Sequence, residues 1–343
     1  STLAVGDYDI GHGFHKLSLD EYNAGFSTSF GLTPAVCISN DWNGEGPVKA
    51  GGISRAFFGG AYTTDAYDID LVAHEIGHQF GAEHTFSYQT SPNTKSAEPG
   101  SGSTIMAYAG VTSHDVQSNS DPYYHYLTID QINGYLNSQF SCSVTSTIIN
   151  NVPSINAGTD VSIPQGTAYK LEATGSDTDA TLYYCWEQLD TGMQIITTNF
   201  GPTQTSGPMA RSLTPTTTSI RYIPNMNRVI AGELTNTNPA DVSSYPTTND
   251  DWETVATVSR TLNWGVTIRD RSNASVNENG QINQDDRIFD IAKKGKNKGL
   301  LIEQRVDKNV KDDIKTVQSF LDLMQKNCIY NNDLENTFTN KQD

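Results

Sequence analysis

Apolar positions recur at helical spacing in two places in the first part of this chain. Ile69, Leu71, Val72 and Ala73 open an amphipathic segment that continues through residue 78, and residues 129–136 read as a second helix. The short apolar run over residues 35–38 predicts a strand. Residues 143–153 read as a linker, and beyond them the texture changes. Residues 167–173, 182–188, 219–223 and 264–269 are short runs rich in Thr, Tyr, Val and Ile, divided by Gly, Pro, Asn and Asp. That pattern predicts an antiparallel sandwich over 154–290. Residues 293–299 form a basic hinge, after which Val310, Ile314, Val317, Leu321 and Met324 predict one amphipathic helix. Residues 331–343 are polar and expected to be disordered. The fold class expected is α/β (α+β) over residues 1–142, then an all-β domain, then a tail over 291–343.

Composition changes this picture modestly. A chain of 343 residues is too long for one typical core, which agrees with two domains. The net charge of -17 argues against nucleic acid and anionic membranes as partners. The acidity is uneven, since half of the Lys and Arg lie from Arg287 onward. No apolar run reaches the ~18 residues that a membrane span needs. Asp177, Asp179, Asp250 and Asp251 can be imagined around Ca2+, but acidic loops are more often solvated and no calcium site is assigned. Neither an initiator Met nor a signal peptide is visible, the chain starting at Ser1 in foldable sequence.

The chemistry is concentrated in His74-Glu75-Ile76-Gly77-His78-Gln79-Phe80-Gly81-Ala82-Glu83-His84. On a helix, His74 and His78 share one face at i and i+4, so two imidazoles can grip one metal ion. Gly81 can adopt a left-handed conformation, ending the helix and turning the chain so that His84 becomes a third ligand. Three nitrogen ligands leave a fourth position for water, the arrangement of catalytic Zn2+. Glu75 projects beside the ion without binding it and is the expected general base. The reaction expected is hydrolysis of a peptide bond through a zinc-bound water activated by Glu75, with a protein or peptide as substrate. Cys37, Cys142, Cys185 and Cys328 show no C-x-x-C spacing, and no Ser or Cys nucleophile is required.

The motif, followed by Met106 in the stretch Ser101 to Tyr108, resembles the metzincin zinc peptidases, in which such a Met-turn floors the metal site. Within them, Tyr8-Asp9-Ile10-Gly11-His12, Thr85-Phe86, the block from Glu98 through Gly110 and Ser120-Asp121-Pro122-Tyr123-Tyr124-His125 resemble the bacterial reprolysin-like metallopeptidases. The resemblance covers roughly residues 7 to 142, and Thr85-Phe86 also looks like the pappalysin branch. It implies a zincin-type catalytic domain and a secreted, extracellular, bacterial protein. It also implies that first strands and at least one helix are missing, since only 73 residues precede His74, the chain being a fragment, a shortened domain or a processed form. A disulfide between Cys37 and Cys142 is implied in the same way, with two buried free thiols as the alternative. Tyr108 is similar to the Tyr of astacins and serralysins that touches the zinc or stabilises the oxyanion; a Tyr packed under the site is the other reading. The later runs resemble an Ig-like or PKD-like module. Substrate would add a strand along the edge near Cys37. The other class of function is an extracellular binding or adhesion protein using an inactive zincin scaffold, against which the intact Glu75 stands.

Overall fold

The computed structural model describes residues 10–16, 29–31, 33–38, 49, 51–56, 67–138, 153–178, 181–239 and 250–270, with three further strands, β10 (Ser275–Val276), β11 (Ile282–Asn283) and β12 (Phe289–Lys293). The first part is a mixed α/β unit. Strands β1 (Gly13–Lys16), β2 (Phe30–Gly31) and β3 (Gly52–Ala56) form a sheet in the order β1-β3-β2. β1 runs parallel to β3 and β2 antiparallel to it, so β2 is an edge strand. The chain then winds through wide π-type turns over Tyr67–Ala73 into helix α1 (His74–Gln79), and returns after a long irregular stretch as α2 (Tyr126–Ser138). Helix α1 is buried on nearly every side. Val72, Ile76 and Phe80 share one apolar cluster with Val36, Ala82, Ile105, Met106, Tyr124, Ile129 and Ile132. Burial of that cluster, rather than helix propensity, accounts for so short a helix being stable.

Gln79 ties this helix to the sheet. Its side chain is fully buried; it accepts from His12 Nδ1 at 2.7 Å and donates to the Gly11 carbonyl at 2.9 Å. Its main-chain carbonyl accepts from the N–H groups of Ala35 and Val36 at 2.8 and 3.0 Å. Residues 35–38 are therefore not the strand that their apolar character suggests. They form a turn, with Ile38 N–H donating to Ala35 C=O at 3.1 Å and Cys37 at φ 66. The run is apolar because it packs beneath the end of α1, where orphan helix carbonyls need donors.

The second part is built from antiparallel pairs. β7 (Leu182–Gln188) pairs along its whole length with β9 (Trp264–Asp270), which pairs on its other side with β12 (Phe289–Lys293). β5 (Tyr169–Glu172) pairs with β8 (Ile220–Ile223), and β4 (Ser154–Asn156) with β6 (Thr174–Ser176). Trp186, Val266, Ile268, Ile155, Leu171 and Ile223 make the core between them. The four runs read from the sequence thus lie on β5, β7, β8 and β9, but in sheets of two and three strands. The two-sheet sandwich over 154–290 stays a proposal. Lys293, read as the start of a hinge, is the last residue of β12, opposite Gly265. The rest of the hinge, the tail helix and Cys328 lie outside the described residues, as do Asp179, Cys142 and most of the 143–153 linker. Cys185 is a buried free thiol. Cys142 lies outside the described residues, so the Cys37–Cys142 pairing stays a proposal. Among the described residues no helix is long and apolar enough to cross a membrane.

Candidate metal centre

Helix α1 ends in a Schellman motif, and this end brings the third histidine round. Gly81 N–H donates to His78 C=O at 2.8 Å and Ala82 N–H to Gly77 C=O at 3.0 Å, closing the two nested rings of that motif. Gly81 has φ 88, where a Cβ would be strained. The chain reverses, and His84 meets His78 and His74. Their Nε2 atoms lie 3.0 Å apart between His78 and His84, and 3.2 Å apart between His84 and His74.

The tautomers follow from the acceptors behind the rings. His74 Nδ1 donates to Ile105 C=O and His78 Nδ1 to Ala82 C=O, each at 2.7 Å. A carbonyl can only accept, so the proton of each neutral ring sits on Nδ1 and the Nε2 lone pair faces inward. Burial lowers the pKa of all three imidazoles, that of His84 to about 3, with the neighbouring His78 adding to the effect. Neutral rings with lone pairs packed edge to edge repel one another unless a cation lies between them. Tetrahedral zinc, with Zn–N of about 2.0–2.1 Å, sets its nitrogens roughly 3.3 Å apart. The observed separations are close to that value, and the residues fit the ion. Among the described residues this triad is the only group of three or more metal-binding side chains. Among the described residues, Asp177 and Asp251 belong to no such group.

Glu75 follows His74 on α1 and is buried, 7 % exposed. Burial raises its carboxyl to about 7, against the opposing effect of a hydrogen bond from the Gly31 N–H. Gly31 lies on edge strand β2, against the helix backbone. A Cβ there would fall 2.0 Å from the Glu75 carbonyl oxygen and 3.0 Å from His78 Cβ. Only glycine permits this approach.

Met106 is fully buried under α1. A Cβ on Gly77 would sit 2.5 Å from its sulfur and 3.1 Å from the Tyr124 ring, so Gly77 makes the hollow that Met106 fills. Tyr124 donates to Ala73 C=O at 2.6 Å beside it. Tyr108 packs its ring 4.6 Å from His84 and 5.5 Å from His74, centroid to centroid. Burial, then the charge of Glu75, pushes its phenol up to about 12, so it is neutral and able to donate. Phe86 stacks on His84 at 4.7 Å. His74, Glu75, His78, His84, Met106 and Tyr108 are thus brought into one locality.

Glu98 has no role in the sequence reading and stands at the centre of the loop that carries these groups. It is 1 % exposed. One carboxyl oxygen accepts from the N–H groups of Ser103 and Thr104 at 2.9 and 3.2 Å. The other accepts from the Thr85 and Thr104 hydroxyls at 2.5 and 2.6 Å. Thr85 follows the third histidine and Thr104 precedes Ile105, whose carbonyl orients His74. Glu98 therefore joins the two strands of chain that fix His84 and His74. The role of Gly31, the stacking of Phe86 on His84 and the part played by the Ile105 and Ala82 carbonyls have no local signal in the sequence.

A family profile described as metallo-peptidase family M12B, reprolysin-like, matches residues 1–142. The match supports a reprolysin-like metallopeptidase, and with it a zinc-dependent enzyme acting on protein or peptide substrates. Comparison with curated proteins and with solved structures gives no match.

Proposed function

We propose that this chain is a zinc-dependent endopeptidase of metzincin type, hydrolysing internal peptide bonds of protein substrates. One observation carries the reading: the Nε2 atoms of three imidazoles meet beside a buried carboxyl on the helix that carries two of them. His74, His78 and His84 would hold the ion. Zinc, when bound, supplies Lewis acidity and lowers the pKa of water from about 15.7 to near 7.

The remaining chemistry belongs to the protein. Glu75, with its carboxyl raised to about 7, is matched to take a proton from water near neutral pH and return it to the leaving amine nitrogen. The Gly31 N–H orients that carboxyl. Tyr108 is positioned to donate to the substrate oxygen as it gains negative charge. Met106 floors the site from below α1. Substrate would lie extended along β2, the edge strand, rather than along residues 35–38, which form a turn. Secretion is proposed from the motif resemblance alone.

The test is hydrolysis of an unfolded protein by the chain and by Glu75→Gln, each loaded with one zinc. General-base catalysis contributes about 10²–10⁴-fold, so the variant should keep its zinc and lose at least about 100-fold in rate. Equal rates in the two, or a zinc-loaded native chain without turnover, would refute the proposal.

A further inference from the structure

The family match ends at residue 142, yet the loop that orients the metal ligands rests on residues beyond it. Ile195 is inserted between two segments of that loop. Its N–H donates to Ser87 C=O at 3.0 Å, and its own carbonyl accepts from the Gly100 N–H at 3.1 Å. Gln194 Nε2 donates to Tyr88 C=O at 2.7 Å, and Thr197 Oγ1 meets His114 Nδ1 at 3.1 Å. The Ile195 side chain is fully buried with Val116, Phe200 and Trp252. Trp252 backs Gly100 so closely that a Cβ there would fall 2.9 Å from the indole. Gly100 also has φ 55, so the loop needs glycine at this point for two reasons.

A second set of contacts reaches the turn before Met106. Ser103 Oγ donates to Ser212 C=O at 3.3 Å, and Ser212 Oγ to Glu187 at 2.7 Å. Tyr123 OH donates to Ser212 Oγ at 2.8 Å, and Glu187 accepts from the Tyr126 N–H at 2.8 Å. Glu187 and Ser212 are buried, so these bonds form away from water, where an unmade one is costly. Behind them Leu189 packs on Ala97, Tyr126 and Leu127.

We infer that residues 187–212 and Trp252 are a structural wall of the metal centre, and that the triad takes its metal-ready geometry only with them in place. The physical link is short. The wall fixes residues 87–103, these fix Thr85 and Thr104 through Glu98, and those neighbours set His84 and the Ile105 carbonyl that orients His74. Trp252, Ile195 and Gln194 are positioning residues; none touches the metal-binding atoms. The inference rests on the zinc reading above, and its test has a readout that needs no zinc.

The experiment compares the full chain with Trp252→Ala and with Ile223→Ala, the latter removing a fully buried side chain in the β5–β8 core instead. Amide hydrogen exchange of residues 85–108 is followed in metal-free protein, and zinc affinity by competition with a chelator. Trp252→Ala should speed exchange at Thr85, Ser101 and Tyr108 and weaken zinc about tenfold or more, the scale seen when groups that orient ligands are lost. Ile223→Ala should leave both unchanged. Should Trp252→Ala fail to fold, the double variant Gln194→Ala, Thr197→Val removes two hydrogen bonds without emptying the core, and the same two changes are expected. Native exchange over 85–108 in a folded wall variant, or equal effects in Ile223→Ala, would overturn the inference. A native chain that binds no zinc, yet shows the exchange difference, would count against the proposed function and leave the wall standing.

Discussion

Glu98→Ala should be among the most damaging single substitutions in the chain, although it lies outside the histidine motif. It would leave two buried backbone donors, Ser103 and Thr104 N–H, without the oxygen they now reach at 2.9 and 3.2 Å. Each buried donor so orphaned costs about 1–3 kcal/mol. The Thr85 and Thr104 hydroxyls lose their bonds as well, but they stand 3.4 Å apart and can recover one bond between themselves. The total is about 3–5 kcal/mol. Glu98→Gln keeps one oxygen for the two N–H groups and turns an amide toward hydroxyls that can rotate to accept it. Its cost should be about 1 kcal/mol. Urea unfolding of metal-free protein separates the two. At a slope of about 1–3 kcal/mol/M, Glu98→Ala should lower the midpoint by roughly 1–5 M, with Glu98→Gln close to the native chain. An unchanged midpoint for Glu98→Ala, or an equal fall for both variants, would refute the assignment of the network as a hydrogen-bonding knot.

Three further outcomes follow from other contacts. Gly31→Ala places a Cβ 2.0 Å from the Glu75 carbonyl oxygen, so β2 must leave the helix. Hydrolysis should fall steeply while zinc is retained, and thermal unfolding should register a loss of about 1–3 kcal/mol. Asp70, which accepts from Ser120 N–H at 2.8 Å, has its carboxyl raised by burial from 3.8 to about 6. The native state then holds its proton more tightly than the unfolded state, so stability is greater below about pH 4 and falls as pH rises to about 6. The loss is at most about 3 kcal/mol, and Asp70→Asn should flatten that part of a stability–pH curve. Chelation should lower the melting temperature. Free zinc at 100 times its dissociation constant contributes about 2.7 kcal/mol, and a melting temperature indifferent to zinc would contradict a site formed only in the folded chain.

The positions 74, 78 and 84 and the glycine at 81 were enough to read how three imidazoles gather, because helical periodicity and one left-handed residue are local properties. The strands over 182–188 and 264–269 were legible for a similar reason, their β-rich composition and flanking turns being visible without knowledge of partners. Residues 35–38 misled because an apolar run records burial and not conformation; the N–H groups of Ala35 and Val36 go to Gln79, which lies more than forty residues away. The wide turns over Tyr67–Ala73 likewise share the apolar spacing of an α-helix. Glu98 was visible as a letter, but its role depends on donors that only the folded loop brings to it. Residues 80–125 and 189–219 have no periodicity to read. Their order comes from side chains and backbone meeting across the molecule, as Ile195 does between Ser87 and Gly100.

The most direct measurement is X-ray absorption at the zinc edge on the zinc-loaded chain, beside His84→Ala. The native chain should show three imidazole nitrogens at about 2.0–2.1 Å with one further light ligand, and the variant one imidazole fewer. A zinc bound by sulfur or by carboxylates alone, or a spectrum that His84→Ala leaves unchanged, would contradict the three-histidine site.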